Sequence, residues 1–408
     1  MHEQPSELVE LGKRYWLPVY RPRELVLDHG KGARVWDVEG RDYVDFSAGI
    51  AVNALGHQDP DLLAALTSQA HKLWHTSNVF YTEPPVRLAE ELVRASGFAE
   101  RVFLCNSGGE ANEAAIKLVR KWAASHGRPP EQRTIITFKG SFHGRTMATL
   151  TATAQPKYQQ GYEPLPLGFR YLKFNDGDAL EEAFTAGDIA AVLVEPIQGE
   201  SGVLPAAPGF LKHIRKLCDA HDALLVLDEI QCGMGRTGTL FAHAHDDVVP
   251  DIVTLAKALG CGFPIGAMLA GSKVADVMQY GAHGTTFGGN PMAAAVARVA
   301  LAKLSSPAVL VNVERQGNDL RAGLAHMNRE LKVFDEVRGR GLMIGAVLAD
   351  AYKGEAGEVL DHAAAHGLLV LQAGPDVLRL LPPLTITDVE MADGLARLRA
   401  ALEAYMAG

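Results

Sequence analysis

RVFLCNSGGEANEAAIKLVRKWAA, residues 101–124, passes from a short apolar run rich in β-formers to an amphipathic helical pattern across a few small polar residues. Short apolar runs recur at TIITF (134–138), AAVLVEP (190–196), LLVLDE (224–229), IVTLA (252–256) and GAMLAG (266–271). Helical patterns separate several of them, such as FLKHIRKLCDAHD (210–222) ahead of LLVLDE. A strand that rejoins its sheet in the same direction needs a crossover about that long. The repeated alternation predicts an α/β unit with a largely parallel sheet, most of whose strands are buried.

Outside this unit the patterns change. ARVWDVEGRDYVDF (33–46) alternates apolar and polar residues like an antiparallel ribbon turning at Glu39-Gly40. From about residue 303, long amphipathic stretches mix with short strands such as LMIGAVL (342–348) and LLVL (368–371). The expected division is a small α+β domain built from residues 1–70 and 303–408, beside a large domain of residues 71–302.

The chain of 408 residues is long enough for a large core, with 48% hydrophobic and 21% charged residues. Its formal charge of −9, with no long basic run, argues against a nucleic-acid surface and leaves small polar or anionic ligands open. No plausible membrane span is present, because glycines and Pro264 interrupt the apolar stretch around Lys257. The opening residues 1–16 lack the apolar core of a signal peptide, so a cytoplasmic protein is expected. Cys105, Cys218, Cys232 and Cys261 form no CxxC pair. His71 and His75 have helical metal-ligand spacing and residues 242–247, AHAHDD, have ligand types, but neither has a third ligand at a recognisable spacing; no metal is expected.

Lys257 is the only formally charged residue between Ile252 and Ser272. Either its amine reaches water along its own stem or it has a chemical use. Ser107 and Glu110 fit a capping box, while Gly108 and Gly109 would let an anion approach bare amides at the positive end of the helix. Asp228 and Glu229 end a strand as in a P-loop ATPase, yet the matching glycine-lysine loop is absent. GMGRTG (233–238) has the glycine spacing of an NAD(P) fingerprint, but DEIQC separates it from its strand and no helix pattern follows. A lysine and a carboxylate at neighbouring strand ends, with a phosphate cradle, together suit pyridoxal 5'-phosphate.

NSGGEANEAAIK (106–117), FHGRT (142–146), VEPIQGE (194–200), LLVLDEIQCGMGRTG (224–238), TLAKALGCGFPIGA (254–267), GTTFGGNP (284–291) and LRLLPPL (378–384) resemble, in this order, the motifs of class III pyridoxal-phosphate aminotransferases. IAVNALGH (50–57) and LWHTSNVF (73–80) are similar to the branch acting on acetyl- and succinylornithine. The resemblance covers nearly the whole chain and implies the fold-type I architecture and a homodimer with shared active sites. It implies that Lys257 binds the cofactor covalently and carries a proton, Asp228 keeps the pyridine nitrogen protonated and Gln231 bonds the phenolic oxygen. Phe142 would stack on the ring, Ser107, Gly108 and Gly109 would bind phosphate, and Thr286 would add a hydroxyl from the neighbouring subunit. Many relatives carry Thr or Ala at the position of Gly109, and glycine at that of Ser201.

For the substrates, the resemblance assigns the donor carboxylate to Arg145 and the 2-oxoglutarate carboxylate to Arg379. Glu200 would pair with Arg379 during the donor half-reaction, and Thr285 would touch substrate. The expected donor is N2-acetylornithine, with succinylornithine as the alternative and succinyldiaminopimelate as a side substrate. Ornithine δ-aminotransferases carry tyrosine at the position of Ile50, whose hydrocarbon offers a free α-amino group no partner. A cofactor-free binding protein on the same scaffold would have no use for Lys257, Asp228 and the phosphate loop together.

Overall fold

The computed structural model describes residues 5–407. Its central sheet comprises Ala99–Cys105 (β1), Thr134–Phe138 (β2), Phe169–Leu172 (β3), Ile189–Val194 (β4), Leu224–Asp228 (β5), Ile252–Leu255 (β6) and Gly266–Gly271 (β7). The order across the sheet is β1-β7-β6-β5-β4-β2-β3. Only β7 runs antiparallel to its neighbours; the remaining pairs are parallel. The largely parallel sheet expected from the sequence is therefore present.

Strands β4 to β7 are buried along their whole length, as the apolar runs predict. β1 departs from that expectation: it is an edge strand, with Glu100 and Arg101 exposed and the next three residues half-buried. β3, FRYL, is the opposite edge, half-buried throughout and interrupted by Arg170, so its apolar signal is weak. Alternate side chains feed two cores. Leu224 and Val226 pack with the helix Gly108–Ser125 (α1), whereas Leu225 and Leu227 join the core containing Phe210 and Leu211 of the helix Phe210–Ala220 (α2).

The chain ends meet in a second sheet. Leu27–Lys31, Arg34–Asp37 and Asp42–Asp45 form an antiparallel ribbon, and Leu368–Leu369 adds in parallel to its last strand. The turn falls at Glu39-Gly40, where Gly40 has φ +82° and Asp37 Oδ1 accepts the amides of Glu39 and Arg41 at 3.0 and 2.8 Å. A third sheet of Phe334–Arg340, Met343–Leu348, Val377–Leu380 and Leu371–Gln372 carries Arg379. The helix Pro60–Ala70 packs on Pro291–Leu304, tying the N-terminal segment to the large layer. No single helix among the described residues is long and apolar enough to cross a membrane.

Candidate active site

Strand ends gather the polar groups. Asp228 is the last residue of β5, Glu195 follows β4, Asn106 and Ser107 follow β1, and Lys257 follows β6 after Ala256. Lys257 sits at φ +45°, a left-handed conformation that costs a side-chain-bearing residue about 1–3 kcal/mol. Ser107 leaves β1 extended and its Oγ accepts the Glu110 amide at 3.2 Å. The capping box is only half formed: the Glu110 carboxylate takes the Asn106 amide at 2.6 Å and its side chain at 3.1 Å, because Asn106 turns back over the helix start. Ser107, Gly108, Gly109, Phe142, Asp228, Gln231 and Lys257 thus share one cavity of about 370 Å³.

Asp228 is almost fully buried and held from two sides. Its Oδ2 accepts from His143 Nδ1 at 2.8 Å and Asn112 Nδ2 at 2.7 Å, and its Oδ1 accepts the Ile230 amide at 3.1 Å. Asn112 is itself oriented by the His143 carbonyl and the Thr254 hydroxyl, both at 2.8 Å. Glu195 binds the amides of Phe142 and Gly199 at 3.0 and 3.4 Å, and burial, reinforced by the Asp228 charge, pushes its carboxyl well above the usual range. Burial and the Arg379 cation lower the Lys257 amine to about 8, against the pull of Glu200, Asp228 and Glu195.

Arg379, 3% exposed, donates to Glu200 Oε1 at 2.6 Å, the Gly199 carbonyl at 3.0 Å and Gln231 Oε1 at 3.2 Å. Burial opposes the Glu200 charge, but the Arg379 cation outweighs it and holds the carboxyl below its ordinary range. Ser201 Oγ donates to the Gly140 carbonyl at 2.5 Å and so ties this loop to the one leading to Phe142. At Gly109 an added Cβ would meet nothing closer than Ser107 Oγ at 3.9 Å, whereas at Gly108 it would come within 2.8 Å of Ile230.

Five expected residues lie off the cavity lining: Glu200 and Arg379, joined to it through the Arg379 bond to Gln231, and Arg145, Thr285 and Thr286. Arg145 is exposed and stacks beside Phe142, its guanidinium carbon 5.4 Å from the ring centroid. Thr285 Oγ1 accepts from Asn106 Nδ2 at 3.2 Å, one residue from the lining. Thr286 is exposed in a separate recess with His75 and Asn78, outside its own chain's cavity. His143, Asn112 and Glu195 were not singled out by motif reasoning; the available signal was Asn112, a polar residue on the alanine-rich buried face of α1. Elsewhere, His243 is tied to Glu229 at 2.7 Å, and Arg236 of GMGRTG is buried against the carbonyls of Leu342 and Pro382. Among the described residues no cluster of three metal-ligating side chains occurs.

The Aminotransferase class-III family matches residues 18–402. The chain belongs to this family. Among the relatives of this class-III aminotransferase, the acetylornithine aminotransferase of Xanthomonas campestris is 72% identical over 393 residues, 96% of each chain. A solved N-acetylornithine aminotransferase of Stenotrophomonas maltophilia is 62% identical, covers 98% of this chain and 99% of that one, and has a TM-score of 0.87. The ornithine aminotransferase of Toxoplasma gondii, whose structure has partial occupancy of pyridoxal phosphate at its active site, is 36% identical over 99% of this chain and 95% of that one, with a TM-score of 0.95. Family and fold thus agree with the motif order.

Proposed function

We propose that this aminotransferase uses pyridoxal 5'-phosphate to move the terminal amino group of N2-acetylornithine to 2-oxoglutarate, giving N-acetylglutamate semialdehyde and glutamate in arginine biosynthesis. One observation carries the reading: Lys257, with its amine lowered to about 8, shares a cavity with Asp228 and with the start of α1. The residues fit the cofactor. Asp228 lines the cavity and, among the described residues, its Oδ1 accepts one amide, leaving acceptor capacity for a ring N–H, and the glycines at the helix start bring bare amides to a phosphate. When bound, the cofactor supplies an electron sink for the carbon that loses a proton.

The remaining work falls to the chain. An amine near 8 is partly neutral at physiological pH, so Lys257 Nζ serves as a nucleophile and as the carrier of the donor's proton. Asp228, oriented by His143 and Asn112, would hold the proton on the ring nitrogen. Gln231 Oε1 is taken by Arg379, so its amide N–H groups serve the phenolic oxygen. Ser107, Gly108 and Gly109 bind phosphate and Phe142 covers the ring. Glu200 keeps Arg379 occupied while Arg145 grips the donor carboxylate; Arg379 then takes the acceptor, and Thr285 lies in reach of substrate.

Thr286 serves the phosphate of the other protomer in a homodimer. Support comes from its place outside its own cavity and from the exposed Phe80 and Phe287 beside it, apolar surface of the kind a partner covers. By the same reading residues 1–70 and 303–408 form the small domain on a 71–302 cofactor domain, and the protein is cytoplasmic. The purified protein is expected to absorb visible light, and borohydride to fix the cofactor on Lys257. Peptide mass mapping decides: a label on another lysine, or no cofactor after reconstitution, contradicts the assignment.

A further inference from the structure

Arg145 and Arg379 are held differently. Arg379 is buried and paired with Glu200, whereas Arg145 is exposed and, among the described residues, forms no ion pair. What fixes Arg145 is aromatic. Its guanidinium carbon lies 3.9 Å from the centroid of the Tyr158 ring and 5.4 Å from that of Phe142, and the two rings meet edge to face at 6.3 Å and 85°. A guanidinium stacked on a ring keeps its N–H groups free at its edge, where a carboxylate binds them in pairs.

The platform under this stack is tied down. Tyr158 lies in the short helix Pro156–Gln159, and its amide bonds the Gln155 carbonyl at 3.0 Å. Gln155 Nε2 in turn reaches the Ser141 carbonyl at 2.9 Å, next to Phe142. Gln159 Nε2 holds the Thr153 carbonyl at 2.9 Å, anchoring the other end of the helix. Lys157 Nζ also approaches the Tyr158 ring, at 4.7 Å, but the guanidinium is the nearer cation and the only one that also lies over Phe142.

We propose that Tyr158 is the positioning residue that presents Arg145 to the donor carboxylate. This rests on the reading of Arg145 given above. A flexible, exposed arginine would otherwise sample many rotamers and lose ordering entropy on each binding event; the stack removes much of that loss before the donor arrives. Acceptor binding, which uses Arg379, does not depend on it.

Stopped-flow half-reactions of the holoenzyme with N2-acetylornithine and with 2-oxoglutarate test the proposal, with cofactor content checked by visible absorption. Tyr158→Leu should raise the donor concentration at half-maximal rate about fivefold to tenfold and leave the 2-oxoglutarate half-reaction within about twofold. Tyr158→Phe, which keeps the ring, should stay within about twofold of wild type in both. Arg145→Ala combined with Tyr158→Leu should be no worse than Arg145→Ala alone, since both remove one interaction. Unchanged donor binding in Tyr158→Leu, equal losses in both half-reactions, or additive losses in the double variant overturn the positioning role. If Arg145→Ala itself leaves donor binding unchanged, the donor-carboxylate assignment fails first and the role of Tyr158 falls with it.

Discussion

Lys257 joins two costs at one residue: a left-handed backbone at φ +45° and an amine drawn down to about 8 by burial and by Arg379. The amine's ordinary value is 10.5, so the folded protein binds that proton less readily than the unfolded chain does. The penalty is fully present below about 8 and fades as the pH rises toward 10.5. Apo Lys257→Met should therefore unfold at a higher temperature than apo wild type near neutral pH and lose that advantage across this window. Thermal unfolding of the two apoproteins against pH checks it; an advantage that grows with pH contradicts the sign. The same variant should lose about 100-fold or more of its transamination rate. The strand-end positions of Lys257 and Asp228 were legible because the apolar runs end there, although each signal was weak by itself and only their combination pointed to one site. His143 and Glu195 were not: they become neighbours of Asp228 only when three strands are laid side by side.

Among the elements, β4 to β7 were readable because each is buried on both faces and apolar throughout. β3 was hidden by its edge position, where burial no longer demands apolar residues. At the start of α1 the residue types of a capping box were correct, but Glu110 binds Asn106, a choice set by the path of the chain out of β1. The segment of residues 284–291 is fastened by Asn78, whose amide donates to the carbonyls of Thr285 and Gly288 at 3.1 and 3.0 Å, and this leaves Thr286 exposed. If that segment completes the partner's site, mixing inactive Lys257→Ala chains with inactive Thr286→Asp chains should restore up to about a quarter of wild-type activity through hybrid dimers with one intact site. No recovery after verified subunit exchange contradicts a shared site.

Across the whole molecule, the chain ends close on one another: Leu368–Leu369 pairs with Asp42–Asp45, and the Val44 and Phe46 amides bond the carbonyls of Gly367 and Leu369 at 2.9 and 2.8 Å. Patterning suggested that the ends pack together, but a parallel pairing across more than three hundred residues has no local signature. Just beyond this ribbon, Ala48 to Ala51 all have positive φ, held by Asp45, and Ile50 emerges 43% exposed with only hydrocarbon to offer a ligand. If Ile50 faces the donor's α-nitrogen, as the resemblance implies, a free α-ammonium would lose hydration there without a partner, a cost of about 1–3 kcal/mol, whereas an acylated nitrogen carries no charge. The most direct measurement is kcat/KM for N2-acetylornithine and for ornithine, each with 2-oxoglutarate as acceptor. The account predicts a ratio of at least about tenfold in favour of the acetylated donor, since about 1.4 kcal/mol corresponds to that factor; equal turnover of the two donors would contradict it.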